Sequence, residues 1–289
     1  MALVLKRLYQ GYFWVFTEKA DPRPGELGLL FMSSPLYPVA FIFSYFYFIY
    51  NLGPRLMENR KPFEIRKLLI AYNAIQILAN LYIFYLAVLE MLFVSNWSCD
   101  PVDYSYSPEA IHTLKSYHLF FLTKLGDLLE TVFFVLRKRY RQVSFLHVYH
   151  HFGMFTMLWV AVKFFGGGHG TWVGLINSLV HAVMYTYYLL SAIDEEWKKN
   201  VAFKKFITQI QMIQFTIFII IYGRLLLKTD CQYPRLCSYF FVPQNFFMLI
   251  LFGDFYRRTY LKKQNPAPTI EDSEKVGTIK NTSTVLLDG

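Results

Sequence analysis

The stretch FLHVYHH, residues 145–151, gathers His147, His150 and His151 in a chain that holds seven histidines. At this spacing three imidazoles recur along one side of a helix, among apolar and aromatic neighbours. Two chemistries suit such a group. Imidazoles can ligate zinc or iron. Alternatively, one can act as a nucleophile or general base while the others orient it or move protons. Membrane di-iron oxygenases use H-x-x-H-H boxes, but they need several, and here there is one. Other polar residues sit at helical spacing in apolar surroundings. LTKLGDLLETVFF carries Lys124, Asp127, Glu130 and Thr131. Asn177 and His181 precede MYTYY, with Tyr185, Tyr187 and Tyr188. TQIQMIQF carries Thr208, Gln211 and Gln214, with Gln209 beside them. Each has a plain alternative: the acids and Lys124 as mutual neutralisation, the glutamines as interhelical hydrogen bonds, the tyrosines as packing. His112, His118 and His169 read as structural.

The elements that must position these groups are membrane helices. Of 289 residues, 55% are hydrophobic and 19% aromatic, and only 17% are charged, against roughly 25% in an ordinary soluble domain. Apolar blocks long enough to span a bilayer lie near 33–52, 68–94, 112–136, 143–163, 170–192, 206–228 and 238–258. The expected fold is an all-α membrane protein of about seven transmembrane helices. Residues 1–32 read as an interfacial segment with no cleavable signal, 33–260 as the membrane domain and 261–289 as a disordered tail. Basic residues crowd loops 53–67, 137–142 and 193–205 and the start of the tail, while 95–111 and 164–169 have none. The positive-inside rule then puts the C-terminus in the cytosol and the N-terminus across the membrane. The net charge of +9 reflects that topology, and no basic patch argues for nucleic acid. Cys99, Cys231 and Cys237 all fall on the non-cytosolic side, where disulfides persist. A Cys99–Cys231 bridge is the expected pairing, with three free thiols as the alternative. Of the sequons at Asn96 and Asn281, only Asn96 would face the lumen.

Ionisable groups inside a span are costly, and each is a candidate functional residue. At 1.5 Å per residue, Asp127 and Glu130 lie roughly 9–14 Å from the cytosolic ends of their helices. The three histidines of the box lie roughly 6–12 Å in, His181 roughly 17 Å, and Gln211 to Gln214 roughly 8–12 Å. Four helices thus bring polar groups to a similar depth, which favours a shared site over scattered helix contacts. No cysteine lies in that half of the bundle, so a thioester would have to be met by histidine. A receptor, transporter or scaffold is the reading without chemistry.

KLGDLLETVFFVLRKR, FLHVYHH, HAVMYTYY and TQIQMIQF resemble, in order and spacing, the signature blocks of the very-long-chain fatty acid elongases, the ELO family. The resemblance covers roughly 30–260. One block departs: the family's K-x-x-E-x-x-D-T stands here as Lys124, Asp127, Glu130 and Thr131, with the two acids exchanged in length. The resemblance implies six of seven helices around a narrow acyl tunnel. It implies a 3-ketoacyl-CoA synthase of the endoplasmic reticulum that condenses long-chain acyl-CoA with malonyl-CoA, releasing CO2 and CoA. It implies no metal or other cofactor. His150 would carry the acyl group, with His147, His151 and His181 completing the catalytic set. Lys124, Asp127, Glu130, Thr131, Asn177, Tyr185, Tyr188, Gln211 and Gln214 would meet the substrates. Lys124, Gln211 and Gln214 would stabilise the oxyanion or enolate, and the acids would orient the imidazoles. Besides the two thioesters and the bilayer, the partners to expect are other enzymes of the elongation cycle and a second copy of the chain. A di-iron desaturase or hydroxylase remains the alternative enzyme. Chain-length preference would lie in the tunnel's closed end, which the motifs do not describe.

Overall fold

The structure is a computed structural model. It describes residues 1–93 and 97–261, apart from the side chains of Ala2, Leu5, Leu8, Thr17 and Phe93. Asn96, Asn281 and the tail from 262 onward lie outside the described residues. Among those described there are helices and turns and no strand. In order the helices are α1 (Ala2–Phe13), α2 (Arg23–Glu26), α3 (Leu36–Tyr47), α4 (Gly53–Met57), α5 (Arg66–Phe93), α6 (Pro108–Asp127), α7 (Leu129–Leu136), α8 (Phe145–Phe165), α9 (Thr171–Ile193), α10 (Val201–Leu227) and α11 (Arg235–Tyr256). Residues 1–252 form one compact unit, and a second begins at Gly253. In the second, Asp254 pairs with Arg257 at 3.1 Å and Arg258 at 2.7 Å.

Five stretches are long and apolar enough to cross a membrane: Leu36–Met57, Arg66–Leu92, Gly168–Ile193, Val201–Leu227 and Arg235–Leu261. The two expected spans that fall short, at 112–136 and 143–163, are those carrying the acids and the histidine box. The first of them is not one continuous helix. It breaks at Leu128, between the two acids. The Gly126 carbonyl accepts from the Tyr72 hydroxyl of α5 at 3.2 Å.

Local chemistry sets where the site-bearing helices start. The Ser107 hydroxyl accepts from Ala110 N–H at 3.1 Å, and Pro108 follows it at the first helical position. Ser144 accepts from His147 N–H at 3.3 Å, so the histidine box occupies the first two turns of α8. Asn200 caps α10 through Phe203 N–H at 2.9 Å. Between α8 and α9 the chain reverses at Gly167 and Gly168, with φ of 145° and 61°. A β-carbon on Gly168 would lie 2.6 Å from the Asp100 and Pro101 carbonyl oxygens, so only glycine fits there. The loop after α5 is also tied back by the bond between Cys99 and Cys231, while Cys237 is a free thiol.

The N-terminal segment is fastened at that same end of the bundle. Arg23, fully buried, pairs with Asp21 at 2.7 Å and donates to the Ser105 carbonyl at 2.6 Å. Lys163 near the end of α8 donates to the Asp21 carbonyl at 3.2 Å. His118 contacts the Leu30 carbonyl at 3.2 Å.

Six helices, α5, α6, α8, α9, α10 and α11, together with Val15 of the N-terminal segment, line an apolar cavity of about 530 Å³. That is within the usual range for a small-molecule site. Met154 and Gln244 line it at one end; Glu90, Tyr117, Gly170, Thr171 and Tyr233 line it at the other.

Candidate active site

Lys124 and Asp127 stand in the last turn of α6 and are almost wholly buried, with side chains 1% and 4% exposed. Lys124 Nζ lies 3.1 Å from Asp127 Oδ2 and 3.0 Å from Nδ1 of His181 on α9. The ammonium also sits 5.3 Å from the Phe120 ring centre. Oδ1 of Asp127 accepts from Gln76 of α5 at 2.6 Å and from Tyr185 of α9 at 2.8 Å. Three helices thus converge on one carboxylate, as a buried charge requires.

Past the break at Leu128 the neighbours change. Glu130 Oε2 faces His151 Nε2 of α8 at 3.7 Å, longer than a hydrogen bond. Thr131 bridges α3 and α8: its oxygen accepts from the Tyr45 hydroxyl at 2.7 Å and pairs with His147 Nε2 at 2.9 Å. Because Tyr45 donates, the Thr131 hydroxyl hydrogen is free to go to His147. The His147 and His151 rings lie close, centres 4.1 Å apart and tilted at 41°. His150 points away from that pair. Its ring is 5.6 Å from His151, 6.4 Å from His181 and 6.5 Å from Phe252. No hydrogen bond to the His150 ring is seen among the described residues. One turn further along α8, Met154 lines the cavity.

The remaining residues singled out in the sequence sit more loosely. Asn177 and Gln214 pair with each other at 3.4 Å, a long contact. Gln211 reaches the Met184 sulfur at 3.7 Å. Tyr188 touches the cluster through the ring of Tyr185, 5.9 Å between centres. Glu130 Oε1, His151 Nδ1 and Asn177 Oδ1 are buried with no hydrogen-bond partner. Such orphaned groups are uncommon in folded proteins, and in a site they mark places where a ligand can bond. By distance, Glu130, His147 and His151 could share a metal ion, their ligand atoms lying within 4.8 Å of one another. His150 and His181 stand outside that group.

Comparison with known proteins matches residues 30–268 to the family described as ELO: GNS1/SUR4. The chain is similar to very long chain fatty acid elongase 7 of Drosophila melanogaster, 42% identical across 90% of this chain and 78% of that protein. It is 40% identical to elongase 7 of Rattus norvegicus, across 90% and 92%. It is 39% identical to elongase 1 of Homo sapiens, across 87% and 93%. The chain belongs to the ELO family. Three residues at the centre of this ELO site were not singled out from the sequence: Tyr45 of α3, and Tyr72 and Gln76 of α5. Tyr45 is one aromatic among many in its helix. Gln76 did have a signal, since Asn73, Gln76 and Asn80 recur at helical spacing in an apolar block and all three are buried.

Proposed function

We infer that this member of the ELO family, an enzyme of fatty acid elongation acting at the condensation step, works through its histidine box. We propose that it joins a long-chain acyl-CoA to malonyl-CoA through an acyl-imidazole on His150. The observation that carries this reading is the placing of His150: its ring is free of hydrogen bonds among the described residues, 6.4 Å from His181 and one turn of α8 from Met154, which lines an apolar cavity. A ring nitrogen of His150 attacks the thioester carbonyl, the C–N bond forms, and the C–S bond breaks. The imidazole's proton leaves with the sulfur, so CoA departs as the thiol. Malonyl-CoA then binds and loses CO2, and its carbanion attacks the acyl carbon. The C–N bond breaks, and one proton from the medium restores His150. The acyl chain lies in the six-helix cavity and the CoA portions remain outside, near the basic loops on the histidine side. The orphaned atoms of Glu130, His151 and Asn177 offer partners to the polar parts of the substrates. This chemistry asks for no metal. We place the protein in the endoplasmic reticulum membrane from its family, with the C-terminus cytosolic from the loop charges.

Purified protein given acyl-CoA alone is expected to release about one equivalent of CoA before any malonyl-CoA is added. Mass spectrometry should find the acyl group on the peptide bearing His150, and His150→Ala should abolish both the burst and condensation. Rapid condensation with no CoA release until malonyl-CoA arrives would exclude the covalent route. One observation favours a second reading, the grouping of Glu130, His147 and His151 at metal-ligand distances. Elemental analysis decides it: stoichiometric iron, with activity dependent on oxygen and a reductant, would move the protein to the oxygenases.

A further inference from the structure

The contacts of Asp127 and Lys124 fix the hydrogen-bond directions at His181, whichever of the Gly126 carbonyl at 3.2 Å and the Tyr185 oxygen at 3.4 Å takes the Tyr72 hydrogen. A carboxylate accepts and never donates, so Gln76 must turn its amide nitrogen, not its oxygen, to Asp127. The same nitrogen has a second hydrogen, which goes to the Tyr72 oxygen at 3.0 Å. Tyr185 spends its single hydrogen on Asp127 at 2.8 Å. Lys124, held as an ammonium by that carboxylate, has three donors and no acceptor. Its 3.0 Å contact with His181 Nδ1 is therefore a donation to the ring. Asp127 Oδ2 stands 3.5 Å from the same Nδ1, longer than a hydrogen bond, so the closer Lys124 decides the direction: an Nδ1–H would point a hydrogen at the ammonium's own, and an imidazolium would put a second cation 3.0 Å from it.

We infer that His181 is locked as the neutral Nε2–H tautomer, and that it serves the reaction as a fixed hydrogen-bond donor to the acyl oxygen, not as a base or nucleophile. Nδ1 is occupied, and Nε2 already carries the proton. The ring lies 6.4 Å from His150 and near-parallel to it, at 23°. A carbonyl attacked by His150 thus develops its negative oxygen in the neighbourhood of His181. When the C–N bond forms, the carbonyl electron pair moves to oxygen, the Nε2–H stabilises it, and collapse breaks the C–S bond, the sulfur leaving with the His150 proton as the CoA thiol. Gln76 is then a positioning residue. By filling Oδ1 of Asp127 it leaves Oδ2 to hold Lys124, and Lys124 sets the tautomer. Two of the three Lys124 donors are directed at Asp127 and His181, so His181 takes a share in the oxyanion role expected of Lys124 from sequence.

The inference rests on the acyl-imidazole reading for the oxygen it serves, but its first test does not. Protein labelled with ¹⁵N in its histidines, with the His181 signals assigned by their loss in His181→Gln, should show an unprotonated Nδ1 and a protonated Nε2. A protonated Nδ1 in the native protein overturns the inference and leaves the His150 reading untouched. The second test uses the CoA burst. A glutamine amide can reach the position of Nε2, whereas an asparagine amide reaches only that of Nδ1. His181→Gln should keep a measurable burst. His181→Asn should lose about 10²–10³-fold in burst rate, the usual cost of removing one such donor. Equal loss in both variants, with native melting temperatures, would rule out donation. Gln76→Leu should lower kcat with KM for acyl-CoA little changed and should shift the His181 nitrogen signals. Unchanged signals would remove Gln76 from the relay. A native protein that condenses without any burst would sink the covalent reading while leaving the tautomer assignment standing.

Discussion

Filling the far end of the cavity should shorten the acyl chains accepted, by an amount the helix geometry sets. Gly174 of α9 is buried and lines the cavity, and a β-carbon built on it meets nothing within 4 Å. It stands about one turn, roughly 5 Å, inside the end wall made by Gly170 and Thr171. His181, on the same helix, is seven residues in the other direction, so a side chain at 174 blocks depth without reaching the histidines. With C–C bonds of about 1.52 Å and angles near 111°, an extended chain advances about 1.25 Å per carbon. Gly174→Leu should therefore remove room for about four carbons. Four methylenes left unburied, at about 0.8 kcal/mol each, come to about 3 kcal/mol. That is on the order of 200-fold in kcat/KM for the longest acyl-CoA the native protein elongates. The assay is condensation of a ladder of saturated acyl-CoAs with labelled malonyl-CoA. Short members should keep native rates, because leucine also suits a helix better than glycine and folding should not suffer. Gly174→Ala, with one added methyl, should shift the cut-off by about one carbon or less. If every chain length loses rate equally, or the cut-off stays put, the cavity does not hold the acyl chain as argued.

Asp127→Asn should lower condensation at least about 10²-fold by removing the charge that holds Lys124, whereas the double exchange Asp127→Glu with Glu130→Asp should stay within about tenfold of native. Initial rates decide between charge and reach as the acids' contribution. Asp21→Asn leaves the buried Arg23 unpaired and should cost about 3–5 kcal/mol of stability, seen as a lower melting temperature with kcat unchanged. Breaking the Cys99–Cys231 bond, which spans 132 residues, should cost a further 3–5 kcal/mol or so in the chain-entropy model. Peptide mapping without reductant should recover that pair and leave the Cys237 thiol free. A glycan found on Asn281 of the native protein would reverse the assigned orientation.

What the sequence determined by itself was the solvent and the chemistry. Runs of apolar residues long enough for a bilayer can only be helices there, since backbone groups must bond within the segment. Polar side chains in such runs are too costly to be incidental, which is why FLHVYHH, the acids and His181 could be singled out by type and depth. Tertiary structure alone decided how they pair. Helical spacing placed Lys124, Asp127 and Glu130 together. It could not place the break at Leu128, or say that Asp127 meets Gln76 of α5 and Tyr185 of α9 while Glu130 faces His151 of α8, because those partners come from helices distant in sequence. Nor could it tell His150, left free, from His147 and His151, which Thr131 and Glu130 engage. Gln76 and Tyr45 were passed over because a glutamine or a tyrosine in an apolar helix has many ordinary uses. Its role exists only once a carboxylate or a threonine from another helix comes within 3 Å. The proton inferred on His181 is of the same kind: it follows from the direction of the Lys124 bond to Nδ1, which packing sets.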